Sequence, residues 1–106
     1  MKTVLLVCGS GASSGFMAAN VRRAASSRKM EINIFARSDS EIVDYIETID
    51  ILLVGPHLAY MVDSIEEITK KQGVPVYVIP QGIYGSLDGN KLLDFILDKL
   101  GGTKNG

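Results

Sequence analysis

The chain has one cysteine and one histidine among its 106 residues. A disulfide within the chain is therefore impossible, and multi-cysteine or histidine-rich metal sites are excluded. Tryptophan is absent, and three Phe with four Tyr are few for a surface that stacks bases. Net charge is lacking too: 11 Lys and Arg against 12 Asp and Glu give -1. A chain so balanced has no overall field to hold nucleic acid or an anionic membrane. Long apolar runs are also missing. The run after Thr3 is too short for a signal peptide, and no later run reaches the roughly 18 apolar residues of a membrane span. The expectation is a cytoplasmic protein with its thiol reduced.

What is present is globular material. Hydrophobic residues make up 46% and charged residues 22%, which suits one domain with one interior. Thr3 to Val7 reads as a strand buried on both faces, followed by the small-residue stretch Gly9 to Gly15. Met17, Val21 and Ala24 then share a helical face, and Arg22, Arg23, Arg28 and Lys29 gather toward its far end as a solvated, dipole-compatible cluster. Glu31 to Ala36 is a second strand, and Ser38 with Glu41 spells a capping box before a helix striped by Ile42, Tyr45, Ile46 and Ile49. Ile51 to Val54 is a third strand. Leu58, Met61, Val62, Ile65 and Ile68 predict a helix closed by Gly73. Val74 to Ile79 is a fourth strand, Pro80 to Gly85 a loop, and Asp88 to Leu100 a final helix. The alternation predicts an α/β fold with a parallel sheet covered by helices on both faces. One domain over residues 1–100 is expected, with a frayed, flexible tail over 101–106.

Ligands of open α/β sheets bind beyond the carboxyl ends of the strands. Cys8 closes the first strand, directly before Gly9, Ser10, Gly11, Ala12, Ser13, Ser14 and Gly15. Small residues let successive backbone N–H groups point into one concavity, and the next helix adds its positive end. A thiolate is favoured there, and a phosphoryl group on its sulfur finds its oxygens cradled. The bland alternative is a small buried cysteine. A Walker A loop is ruled out, because no Lys falls between Lys2 and Lys29. The spacing of Gly9, Gly11 and Gly15 is one residue too long for a dinucleotide fingerprint. A tyrosine-phosphatase loop resembles C-x5-R, but Ser14 stands where the arginine belongs. A thiol with an amide cradle and no arginine suits a phosphoryl carrier better than a phosphatase. A phosphatase-like enzyme and a noncatalytic nucleotide-binding module remain as alternatives.

Three segments resemble one family. Cys8-Gly9-Ser10-Gly11-Ala12-Ser13-Ser14 is similar to the C-x-x-G-x-S-[ST] loop of the lactose/cellobiose-type IIB proteins of the sugar phosphotransferase system (PTS). Gly55-Pro56-His57-Leu58-Ala59-Tyr60-Met61 resembles that family's G-P-Q-[IL]-A-Y-M, and Tyr84-Gly85-Ser86-Leu87-Asp88-Gly89 its Y-G-x-x-D-G. The resemblance implies strand order 2-1-3-4, as in low-molecular-weight tyrosine phosphatases. It implies Cys8 as a phosphocysteine, loaded by a phosphohistidine on a IIA protein. The acceptor is then a sugar of the cellobiose, lactose or chitobiose class, held by the membrane permease IIC. No cofactor is implied, and a monomer is the expected state for a small carrier that docks two partners in turn. His57 departs from the family's Gln; a surface position is its simplest reading, and tuning of the thiol the sharper one. Tyr60 and Tyr84 are expected to pack in the core with hydroxyls reaching solvent, partner contact being the alternative.

Overall fold

The computed structural model describes residues 2–7 and 12–101, with residues 12–14 as backbone only. Cys8, Gly9, Ser10 and Gly11, and residues 102–106 of the expected tail, lie outside the described residues. The strands are β1 (Lys2–Val7), β2 (Ile32–Arg37), β3 (Ile51–Val54) and β4 (Val76–Val78). They form one parallel sheet in the order β2-β1-β3-β4. The helices are α1 (Ala12–Ser27), α2 (Ile42–Tyr45), α3 (Val62–Thr69), α4 (Gln81–Ser86) and α5 (Gly89–Lys99).

The apolar runs fix the sheet's centre. β1 and β3 lie between neighbours and need apolar side chains on both faces, because alternate residues point to opposite sides. Val4 and Leu6 of β1 enter one buried cluster with Met17, Val21, Leu92, Leu93 and Ile96 of α1 and α5. Leu5 and Val7 enter the other, with Ile42, Ile46, Leu58 and Ile65 from the α2 and α3 side. Each fully buried side chain of this size contributes roughly 1.5–3 kcal/mol.

Several expectations shift in ways that have local causes. The helix expected to follow the small-residue stretch begins within it: Ala12 to Gly15 already form the first turn of α1. Ala and Ser tolerate that conformation, and first-turn N–H groups need no intrahelical partner. The helix opened by Ser38 is short. A 3-10 turn over Asp39–Glu41 leads into α2, and the Thr48 amide and hydroxyl both bond the Tyr45 carbonyl at 2.9 Å and close it. Pro56–Met61 is also 3-10, and its tighter turn changes the phase of the stripe that follows. Thr69 is consequently buried, while Ile68 turns outward. β4 is shorter than Val74 to Ile79, since Pro75 offers no donor and contributes its carbonyl to Leu52 N–H at 3.0 Å. Gly73 ends the helical run in the left-handed region, at φ 70°.

The segment expected as a loop, Pro80 to Gly85, is instead mostly α4. The Pro80 carbonyl accepts from Ile83 and Tyr84 N–H, and Ser86 Oγ bonds the Gly82 carbonyl at 3.0 Å. These local bonds support a helix that two glycines disfavour. The arginines near the end of α1 are engaged rather than merely solvated. Arg22 Nε donates to the Ile34 carbonyl, Arg23 bonds Asn20, and Arg28 reaches Asp94 at 2.7 Å and Asn90 Oδ1 at 3.1 Å on α5.

Candidate functional site

The carboxyl ends of β1, β3 and β4 meet in register. Val7 stands opposite Arg37 of β2 and Val54 of β3. Beyond the ladder, Gly55 N–H donates to the Val7 carbonyl and Ile79 N–H to the Val54 carbonyl, each at 2.9 Å. Val7, at this end of β1, is thus paired on both sides. α1 opens at Ala12, so residues 8–11 lead from that strand end into a helix N-terminus. A helix that crosses back over a parallel sheet brings its N-terminus to the strand's carboxyl end. The first turn of α1 contains no acidic residue, so its positive end is not neutralised locally.

The other expected site residues fall around this rim. Gly15 is exposed on α1, and a Cβ there would meet none of the described atoms. Ser13 and Ser14 belong to the same first turn by backbone. His57 follows Gly55-Pro56 and is exposed. Its ring centroid lies 5.7 Å from that of Tyr84 on α4, with the planes tilted by 42°. Tyr84 is half-buried against the α1–α5 core, as expected. Tyr60 is a correction: it is 80% exposed, because the 3-10 turn points Leu58 and Met61 inward and leaves residue 60 outside. Phe16, 63% exposed, was not singled out by the sequence pattern. The signal was its place just off the Met17, Val21 and Ala24 stripe.

Side-chain charge is sparse here. The segments 8–16, 55–62 and 80–87 contain no Lys, Arg, Asp or Glu. Asp88, the nearest carboxylate beyond α4, caps α5 and accepts from Lys91 N–H at 3.0 Å. Asp88→Ala should cost about 1 kcal/mol of stability, read as a lowered urea midpoint with unchanged slope. A groove of about 500 Å³ lined by Asp63, Glu66, Glu67 and Lys70 runs by Val74–Val76, at the amino end of β4 and away from this rim.

The family model for the lactose/cellobiose-specific IIB subunit of the PTS matches residues 3–95. The chain belongs to that family. PTS IIB relatives include the galactose-specific EIIB component of Lactococcus lactis subsp. cremoris and the cellobiose-specific EIIB component of Lactococcus lactis subsp. lactis. Each is 30% identical to this chain over 97 residues, covering 87% of it and 90% of the relative. The lactose-specific IIB domain from Streptococcus pneumoniae superposes with a TM-score of 0.83 at 16% identity, over 92% of this chain and 95% of that one. Strand order 2-1-3-4 is therefore the IIB arrangement, shared with the low-molecular-weight tyrosine phosphatases. IIB components are phosphotransferase proteins that work with IIA and the permease IIC. Among the described residues no helix is long and apolar enough to cross a membrane.

Proposed function

We propose that this IIB chain is a cytoplasmic phosphoryl carrier with Cys8 as its covalent site. One observation supports the reading: the central strand β1 spans Lys2–Val7 and α1 opens at Ala12, so Cys8 falls in sequence between a strand's carboxyl end and a helix N-terminus. The Cys8 thiolate attacks the phosphorus of a phosphohistidine on IIA in line. The S–P bond forms as the P–N bond breaks, and its electron pair returns to the imidazole of IIA, which takes up a proton. Backbone amides from Gly9 to Gly15 supply the equatorial hydrogen bonds, with Ser10, Ser13 and Ser14 beside them. In the second step a sugar hydroxyl bound by IIC attacks the same phosphorus. The O–P bond forms as the S–P bond breaks, the hydroxyl proton passes to solvent, and the sulfur leaves as thiolate.

Hydrolysis is a weaker use of this site. No arginine stands at position 14, and Asp88, the first acid after the α4 segment, is occupied as a helix cap. The acceptor class is a β-glucoside or related disaccharide. Equal identity to galactose- and cellobiose-specific relatives supports a class rather than one sugar. The carrier acts as a monomeric domain over residues 1–100. Incubation with phosphoenolpyruvate, the upstream phosphocarriers and IIA should add one phosphoryl group per chain, at Cys8. Mass spectrometry that finds no gain, or finds it on another residue, overturns the proposal.

A further inference from the structure

The sheet has two edges, β2 and β4, and the chain treats them differently. In a parallel ladder, alternate residues turn their backbone N–H and C=O toward one neighbour, and the residues between turn theirs outward. On β2 the Ile34 and Ala36 carbonyls face away from β1, and both are occupied. Ile34 accepts from Arg22 Nε at 3.2 Å and Ala36 from Arg37 Nη1 at 2.7 Å. Charged side chains of this kind blunt an edge. On β4 the Pro75 carbonyl and the Ile79 N–H bond β3, so the N–H and C=O of Val76 and Val78 point outward. Among the described residues these four groups have no hydrogen-bond partner. The groove between α3 and β4 adjoins this edge. Asp63, Glu66 and Glu67 line it against one cation, Lys70, which already sits 3.1 Å from Glu67. Thr69 also lines it at 1% exposure, and its hydroxyl has no hydrogen-bond partner among the described residues.

We infer that the open edge of β4 docks a partner polypeptide, which adds an extended, basic segment as a fifth strand. The segment's backbone takes the outward groups of Val76 and Val78. Alternate side chains of a strand point to opposite faces. Those on the Val76 face, which packs into the α2–α3 cluster, meet Asp63, Glu66 and Glu67 when they are long and cationic. Their aliphatic stems cover Val74 and Pro75. On the other face the added strand meets Tyr77 and Phe95, whose rings lie 6.4 Å apart, so apolar residues suit the intervening positions. A second copy of this chain fits less well. Two-fold pairing of β4 with itself brings the α3 carboxylates of both copies onto one face, like charge against like. The groove lies at the amino end of β4, away from the carboxyl rim, and binding there does not depend on phosphate at Cys8.

The probe is a peptide of about seven residues alternating lysine with valine, acetylated and amidated at its ends. It is titrated into the isotope-labelled full chain and followed by amide NMR. Half-saturation is expected below about 1 mM peptide, with the Val76 and Val78 amides shifting most and the α3 amides beside the groove moving with them. Val78→Pro removes one outward donor and no bond to β3, and should weaken binding by about tenfold or more. Glu66→Gln with Glu67→Gln, both exposed, keeps the edge and should weaken it about three- to tenfold. Thermal melts check both variants, and the glutamine pair decides if the proline variant is unfolded. No shift at Val76 and Val78 overturns the inference. Equal binding by a peptide of glutamate and valine does so too, as does unchanged affinity in either folded variant. The same shifts on concentrating the chain alone would give the edge to a second copy and overturn the basic partner.

Discussion

Cys8→Ser is expected to stop sugar phosphorylation, with a loss of roughly a thousandfold or more, the scale on which removal of a covalent nucleophile acts. A serine hydroxyl occupies nearly the same space, so the effect isolates the sulfur. At neutral pH a free thiol is already a few per cent thiolate, and a helix N-terminus raises that fraction. A hydroxyl has no comparable ionised population. A phosphoserine that did form would also be a stable ester, poorly suited to pass its phosphoryl group to a sugar hydroxyl. The assay is sugar-phosphate formation with phosphoenolpyruvate, the upstream carriers, IIA and membranes containing IIC. A matching thermal melt separates lost chemistry from lost folding. Turnover by the serine variant within tenfold of the native rate would remove Cys8 from the pathway.

Gly89→Ala should be the most damaging small substitution outside the rim. Gly89 is buried at the first turn of α5, where that helix crosses α1. A Cβ added there collides with the backbone carbonyl of Asn20 and comes within 2.8 Å of the Asn20 Cβ. The obstacle is helix backbone, which cannot swing aside as a side-chain tip can. Nearby, Asn20 Nδ2 donates to the Leu87 carbonyl at 2.8 Å, fixing the turn between α4 and α5. The two helices must separate, and the buried contacts of Met17, Leu92 and Leu93 loosen with them. A cost of about 3 kcal/mol follows, the upper part of the usual overpacking range. Denaturant unfolding measures it directly, and a melting temperature lower by roughly 10–15 °C corresponds to it. Near-native stability would mean that α1 and α5 can part without loss.

Much of the architecture was legible because β1 and β3 are short, wholly apolar runs that only central parallel strands require. Cys8 stood out for the same reason: a strand end can be read from where its apolar run stops. The stripes of α1 and α5 were equally plain. α4 was not, because Gly82 and Gly85 argue against a helix and the bonds around Pro80 and Ser86 that support it carry little pattern. The outward turn of Tyr60 was hidden by a change from 3-10 to α winding within one apparently helical stripe. Gly89 was visible as part of a family segment, but its reason was not. The close approach to Asn20 joins residues 69 positions apart, and no local spacing reports it. Arg22 of α1 and Arg28 just beyond it likewise looked like a solvated end, because their partners on β2 and α5 come from later in the chain.

The scarcity of charge along 8–16, 55–62 and 80–87 has a kinetic side. Long-range attraction accelerates association when opposed charges line the meeting surfaces, and added salt removes the gain. Three segments in which His57 is the one basic side chain offer little for such steering. Encounters there are governed by shape and contact, in the ordinary range of roughly 10⁵–10⁷ M⁻¹s⁻¹. Under the proposed carrier role, in which one partner leaves before the next is met, weak steering has a use: no distant field draws the departing partner back.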